Sequence, residues 1–171
     1  MNEMKKISWI IVFAFITYSC SPKSEKSSAY PEHVGDISFD EKLDDSLFNI
    51  CTKGRIPQYY EFGMGLQYKG EKPAINEHFK KLKNIELKNE TGYITIRFVV
   101  NCEGKTGRFR IQEMNNDYQP RTFSKELVEN ILSLTKQLDG WIAGGDANHA
   151  FDYYQYLTFK IEEGKLIEIM P

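Results

Sequence analysis

The sequence predicts an α+β domain, an antiparallel sheet of three to four strands with helices packed on one face. Three observations carry that expectation. Residues 93–100 alternate apolar Ile94, Ile96, Phe98 and Val100 with Tyr93, Thr95, Arg97 and Val99, the period of a strand. Residues 124–138 place Leu127, Ile131, Leu134 and Leu138 on one face of a helix. A second β-rich run, Tyr153–Ile161, is turned by Glu163-Gly164-Lys165 into a short last strand, Leu166–Ile169.

The chain begins with Lys5 and Lys6, an apolar run from Ile7 to Ile16, and then Thr17-Tyr18-Ser19-Cys20. A positive n-region, a short h-region and a small residue before a cleavage point describe an export signal. The run is shorter than the roughly 20 apolar residues a spanning helix needs. The cysteine after the small residue resembles the lipid-attachment site of bacterial lipoproteins, in a style similar to those of the Bacteroidetes group. That resemblance implies a signal over residues 1–19 and a lipid on Cys20. The alternative is an ordinary secretory signal with an unrelated cysteine. Residues 20–35, polar and aperiodic, read as a flexible tether, leaving 36–171 as a single domain. The lipoprotein resemblance further implies the cell envelope. Ser21 after the cysteine favours the outer membrane, and the lack of an acidic run there favours its periplasmic face.

Composition narrows the partners. The net charge of the whole chain is −2, and loss of Glu3, Lys5 and Lys6 with the signal makes it one unit more negative. Nothing in that balance implies a nucleic-acid partner. The remaining cysteines, Cys51 and Cys102, either form a bridge, which export would preserve, or stay as two thiols. Spacing alone does not bring their Cα atoms within reach.

Within the domain, Ser38 and Glu41 form a capping box that predicts a helix over 39–50, with Phe39, Leu43, Leu47 and Ile50 on one face. Glycines and a proline then punctuate 51–70, around a short strand at 58–62. Pro73 opens a second helix with Ile75, Phe79 and Leu82 along one side and Glu77 paired to Lys81. Asn101-Cys102-Glu103-Gly104-Lys105 is the loop of a hairpin whose return strand runs through Phe109 and Ile111 to about Met114. Ser124 caps the third helix, Phe123 and Val128 staple it, and Gly140 is the expected left-handed cap before Trp141.

The order from residue 73 to 169, with Gly92–Lys105 as the hairpin, helix 123–138 leading into Trp141, and strand 153–161 followed by Gly164, resembles the C-terminal domain of the TonB family. Coverage is about the last hundred residues. The resemblance implies the α+β layer fold and protein binding, by pairing of an edge strand with a partner's peptide. Ile167 to Met170 is the candidate edge. The family's proline after the tryptophan is replaced here by Ile142-Ala143-Gly144, and only six prolines occur in the whole chain. The proline-rich spacer of an energy transducer is therefore missing, and a motor role is not implied.

Chemistry is sparse. His33, His78 and His149 have no metal-ligand spacing, so surface or structural roles are expected and no metal or cofactor is. Asp146, His149 and Asp152 cluster after two glycines but are expected to be a connection. Cys102 has no marked base, and no catalytic motif is present, so no enzyme is expected. Arg97, Arg108, Arg110 and Lys160 share a strand face with Tyr93, Tyr154 and Tyr156. Either that face is solvated, with long side chains covering the strands, or it binds a protein, glycan or polyanion. Two functions follow as expectations: a lipid-anchored module that binds another envelope protein through an edge or the basic-aromatic face, or a binder of a small ligand or glycan near Trp141, Tyr154 and Tyr156.

Overall fold

The computed structural model describes residues 37–63, 65–84, 90–146 and 148–171. The expected signal, Cys20, the expected tether and His33 lie outside them. Among the described residues no helix is long and apolar enough to cross a membrane. Elements follow in the order α1 (Glu71–His78), β1 (Gly92–Val100), β2 (Thr106–Met114), α2 (Lys125–Lys136), β3 (Tyr153–Glu162) and β4 (Lys165–Met170). The four strands form one antiparallel sheet in the order β2-β1-β3-β4, so β2 and β4 are its edges. The α+β expectation holds.

Both helices pack on one sheet face. Ile94, Ile96, Phe98 and Val100 of β1 and Tyr153, Leu157 and Phe159 of β3 meet Ile75, Phe79, Leu82, Leu127 and Ile131 in the main core. Each fully buried aliphatic or aromatic side chain stabilises by about 1.5–3 kcal/mol. Helix α2 follows its sequence signals closely. The Ser124 hydroxyl accepts the Leu127 amide, and Leu127 and Ile131 are buried, with Phe123 and Val128 in the same cluster. Its end differs. The helix stops at Lys136 with Gln137 as cap, and Gly140 is not left-handed. Gly140 is needed for a close approach instead, since a Cβ there would stand 2.8 Å from the Tyr68 ring.

Helix α1 begins two residues before Pro73 and continues as a 3-10 turn over Phe79–Asn84. Pro73 falls in the first turn, where its missing amide has no intrahelical partner to lose. Glu77 pairs with Lys80; the side chain of Lys81 is outside those described.

Residues 39–50 form no helix, contrary to expectation. The carboxylates of Asp40 and Asp45 take the amides of Lys42 and Leu47 at 2.9 and 2.8 Å, and Asp44 takes the Asp40 amide at 2.8 Å. Such local bonds satisfy the backbone without a helical ladder. Of the expected buried stripe, Phe39, Leu43 and Leu47 are exposed at 47, 65 and 87 %, and only Ile50 packs against the sheet. Residues 58–62 likewise form no strand. Gln58 makes one bridge to Tyr154, and Tyr59–Phe62 is a 3-10 turn capped by the Glu61 carboxylate on the Gln58 amide.

Two bulges adjust the edges. On β2, Arg97 faces Arg110 while Val99 faces Gly107, so one extra residue is inserted there, with Arg108 left-handed at φ 55°. On β4, Lys160 faces Glu168 but Ile161 faces Leu166. The insertion turns both Leu166 and Ile169 into the core and leaves Ile167 outside, 48 % exposed.

Candidate functional site

The sheet face opposite the helices carries Arg97, Tyr154, Tyr156, Tyr93 and Lys160. Its Val99 end is covered by a strap, residues 37–62. Ile37 and Ile56 of the strap bury against Val99 and Tyr154, with Phe48 and Ile50 packed alongside. The ring of Phe48 lies flat on β2, so close that a Cβ at Gly107 would be 2.4 Å from it. The Tyr154 hydroxyl accepts the Ile37 amide at 3.1 Å. A wholly solvated face is therefore corrected, and so is a wholly available binding face. The physical reason is apolar content: Val99 and Tyr154 need cover, and the strap supplies it.

The arginines hold the strap. Arg108 donates to the Ile37 carbonyl at 3.1 Å. Arg110 donates to the Ser38 carbonyl and, in a fork, to both carboxylate oxygens of Asp44, each at 2.7 Å. The Asp44 carboxylate is 1 % exposed. The Arg110 guanidinium, through that hydrogen bond first, holds the Asp44 carboxyl below the usual carboxylate range, and Asp44 raises Arg110 in turn. A folded-state value below the unfolded one means stability present at neutral pH and lost as pH falls below about 4. Asp44→Asn should cost about 2 kcal/mol in urea unfolding at pH 7, and the difference from the parent should shrink as pH falls below about 4. A pH-independent difference would overturn the ion-pair account. Arg97 lies 5.7 Å from the Tyr154 ring centre, and burial lowers its basicity. Tyr59 and Tyr156 meet edge to face at 5.2 Å, and burial first, then the Tyr156 hydroxyl, pushes the Tyr59 phenol up to about 12.

The strap is also locked at Cys51, whose Sγ is bonded to that of Cys102 in the β1–β2 loop, with Cα atoms 6.0 Å apart. Beside the bridge, the fully buried Asp152 accepts the amides of Cys51, Thr52 and Cys102, each at 2.7 Å, and the Thr52 hydroxyl accepts the Asp152 amide. Three segments meet on one carboxylate. Its role was hidden in the sequence, where Asp152 is grouped with Asp146 and His149. In the structure Asp146 and His149 are exposed, 3.6 Å apart, and Asp152 is turned inward, so the three do not form a cation site. Donor atoms of Cys51, Cys102 and Asp152 do lie within 4.8 Å of one another. Bridged sulfurs and a carboxylate committed to three amides suit no metal ion. Cys102, being bridged, is no nucleophile. The Nε2 of His78 lies 3.0 Å from the Leu134 carbonyl, an interhelical contact.

Trp141, Tyr154 and Tyr156 do not share a pocket. Trp141 is 4 % exposed and packs on Tyr68 and Phe98 at 4.9 and 5.2 Å, in the helix-side core. Tyr154 and Tyr156 lie on the opposite sheet face, at the register of Val99 and Arg97. The strand alternation that separates neighbouring positions by face rules this grouping out.

The remaining candidate is the β4 edge. Among the described residues no strand pairs with its outer side. Ile167 is exposed there, and Glu168 pairs with Lys72 of α1 at 3.2 Å. No family model matches this chain, and no curated protein or solved structure is significantly similar to it.

Proposed function

We propose that this protein is a non-enzymatic interaction module of the cell envelope, lipid-anchored through Cys20 at the periplasmic face of the outer membrane, that captures an extended segment of another envelope protein along β4. The single observation carrying it is the open outer edge of β4 with Ile167 exposed beside it. Unpaired amides and carbonyls on an edge are a template for a further strand. The other edge is less suited, because its bulge at Arg108 and the strap contacts of Arg108 and Arg110 interrupt it. The bridge between Cys51 and Cys102 supports an oxidising compartment.

The test is capture from detergent-extracted envelopes, comparing the native protein, Ile167→Pro and Cys20→Ala. Ile167 sits at the bulge, where proline is tolerated best, so the thermal midpoint should stay within about 3 °C of the parent. A stoichiometric envelope protein that is lost at least tenfold with Ile167→Pro is the expected result. Equal capture by a folded Ile167→Pro would overturn the edge. Absence of any partner for a lipidated, folded protein would overturn the module.

A further inference from the structure

A cleft of about 490 Å³ lies between the strap, the start of β2 and the end of α2. Its size falls in the range of small-ligand sites, roughly 300–1,000 Å³. Leu43, Leu47, Phe48 and Phe109 make its apolar wall, and Lys105, Arg108 and Lys136 its basic rim. Of the two carboxylates that line the cleft, Asp44 is neutralised by a cation and Asp45 is not. Asp44 is buried against Arg110, and Lys105 pairs with Glu103. Asp45 accepts the Leu47 amide. Arg108 donates to the Ile37 carbonyl oxygen and feels the Asp44 charge, which Arg110 already pairs, and Lys136 stands over the Phe109 ring at 5.4 Å. Among the described residues neither has a carboxylate within the 4 Å of a direct ion pair.

Two further observations point the same way. Leu43 and Leu47 are exposed at 65 and 87 %, although the cleft beside them has apolar walls; leucines placed so gain by being covered. Arg108 is held in a left-handed conformation that non-glycine residues seldom adopt, at a bulge. Bulges and such conformations re-aim side chains at sites.

We propose that this cleft binds an amphipathic anion, a single apolar chain ending in a carboxylate, with the chain along Leu43, Leu47, Phe48 and Phe109 and the carboxylate at Arg108 and Lys136. Charge complementarity selects the anion. The bulge selects an acyl chain over a peptide strand, because an interrupted edge offers no regular ladder for a second backbone, whereas an acyl chain requires none. This site is separate from β4, so variants here leave the proposed partner edge intact.

Residues 36–171 form a compact unit by themselves. The test therefore uses residues 20–171 with Cys20→Ser, titrated with laurate below its micelle concentration and followed by calorimetry and amide NMR. The expected result is saturable one-to-one binding with shifts confined to 43–48, 105–109 and 136. Lys136→Glu and Leu47→Asp change exposed side chains, so both variants keep the fold, and each should weaken laurate at least tenfold. Dodecylamine, of equal length and opposite charge, should bind at least tenfold more weakly than laurate. Absence of laurate binding, equal binding of dodecylamine, or full affinity in Lys136→Glu would overturn the proposal. None of these outcomes depends on a lipid at Cys20, which mass spectrometry of the native protein reads separately.

Discussion

Replacing Cys51 and Cys102 together by serine should destabilise the protein by about 4 kcal/mol and lower its thermal midpoint by roughly 15 °C. The bridge joins positions separated by 51 residues, and closing a loop of that length removes unfolded-state entropy of that order. The effect is expected in the unfolded ensemble first, so the native contacts of the strap should partly survive. Protease cleavage within 37–56 should nevertheless accelerate, because only Ile37 and Ile56 are buried against Val99 and Tyr154 there. Urea unfolding of oxidised and serine forms measures the cost. Trp141 is the only tryptophan in residues 20–171, and its emission reports the main core. A difference under about 1 kcal/mol would overturn the loop-closure account of the bridge.

Asp152→Ala should cost about 3–5 kcal/mol, the second large effect. The carboxylate serves the amides of Cys51, Thr52 and Cys102. A buried amide left without a partner costs about 1–3 kcal/mol, reduced where water can enter. Asp152→Asn keeps one oxygen as acceptor and should cost about half as much. The residues contact one another, so the effects of Asp152→Ala and of the serine pair should not add. With the bridge gone, the strap end loosens and its amides find water, so the alanine should cost less in that background. Strict additivity in the double-mutant cycle would mean that the clamp and the bridge act independently. A cost below about 1 kcal/mol for Asp152→Ala would overturn the clamp itself.

The two locks act on the same strap as the Asp44–Arg110 pair. Together they explain why a face that reads as basic and aromatic is not simply an open platform. Arg110 is spent on Asp44 and the Ser38 carbonyl, and Tyr154 on the Ile37 amide. The β4 edge and the cleft beside the strap stay accessible. The proposed partner edge and the proposed anion cleft therefore occupy different parts of the molecule and can be removed one at a time.

Sequence by itself determined the elements whose signals are local. The period-two run of β1, the Asn101–Lys105 loop, the capped amphipathic stripe of α2 and the turn at Glu163-Gly164 all rest on neighbours within a few residues, where backbone preference and side-chain spacing act directly. Helix α1 was legible for the same reason, to within two residues. Tertiary structure alone decided the strap. Its pattern fits a helix, but Asp40, Asp44 and Asp45 satisfied its backbone locally while Phe48 and Ile50 found partners on the sheet. It also decided the role of Asp152, whose partners Cys51 and Thr52 are about a hundred residues away, and that of Asp44, 66 residues from Arg110. The separation of Trp141 from Tyr154, and the bulge that leaves Ile167 outside, came from strand pairing. Such contacts depend on which surfaces the packed elements bring together, and no spacing along the chain encodes that.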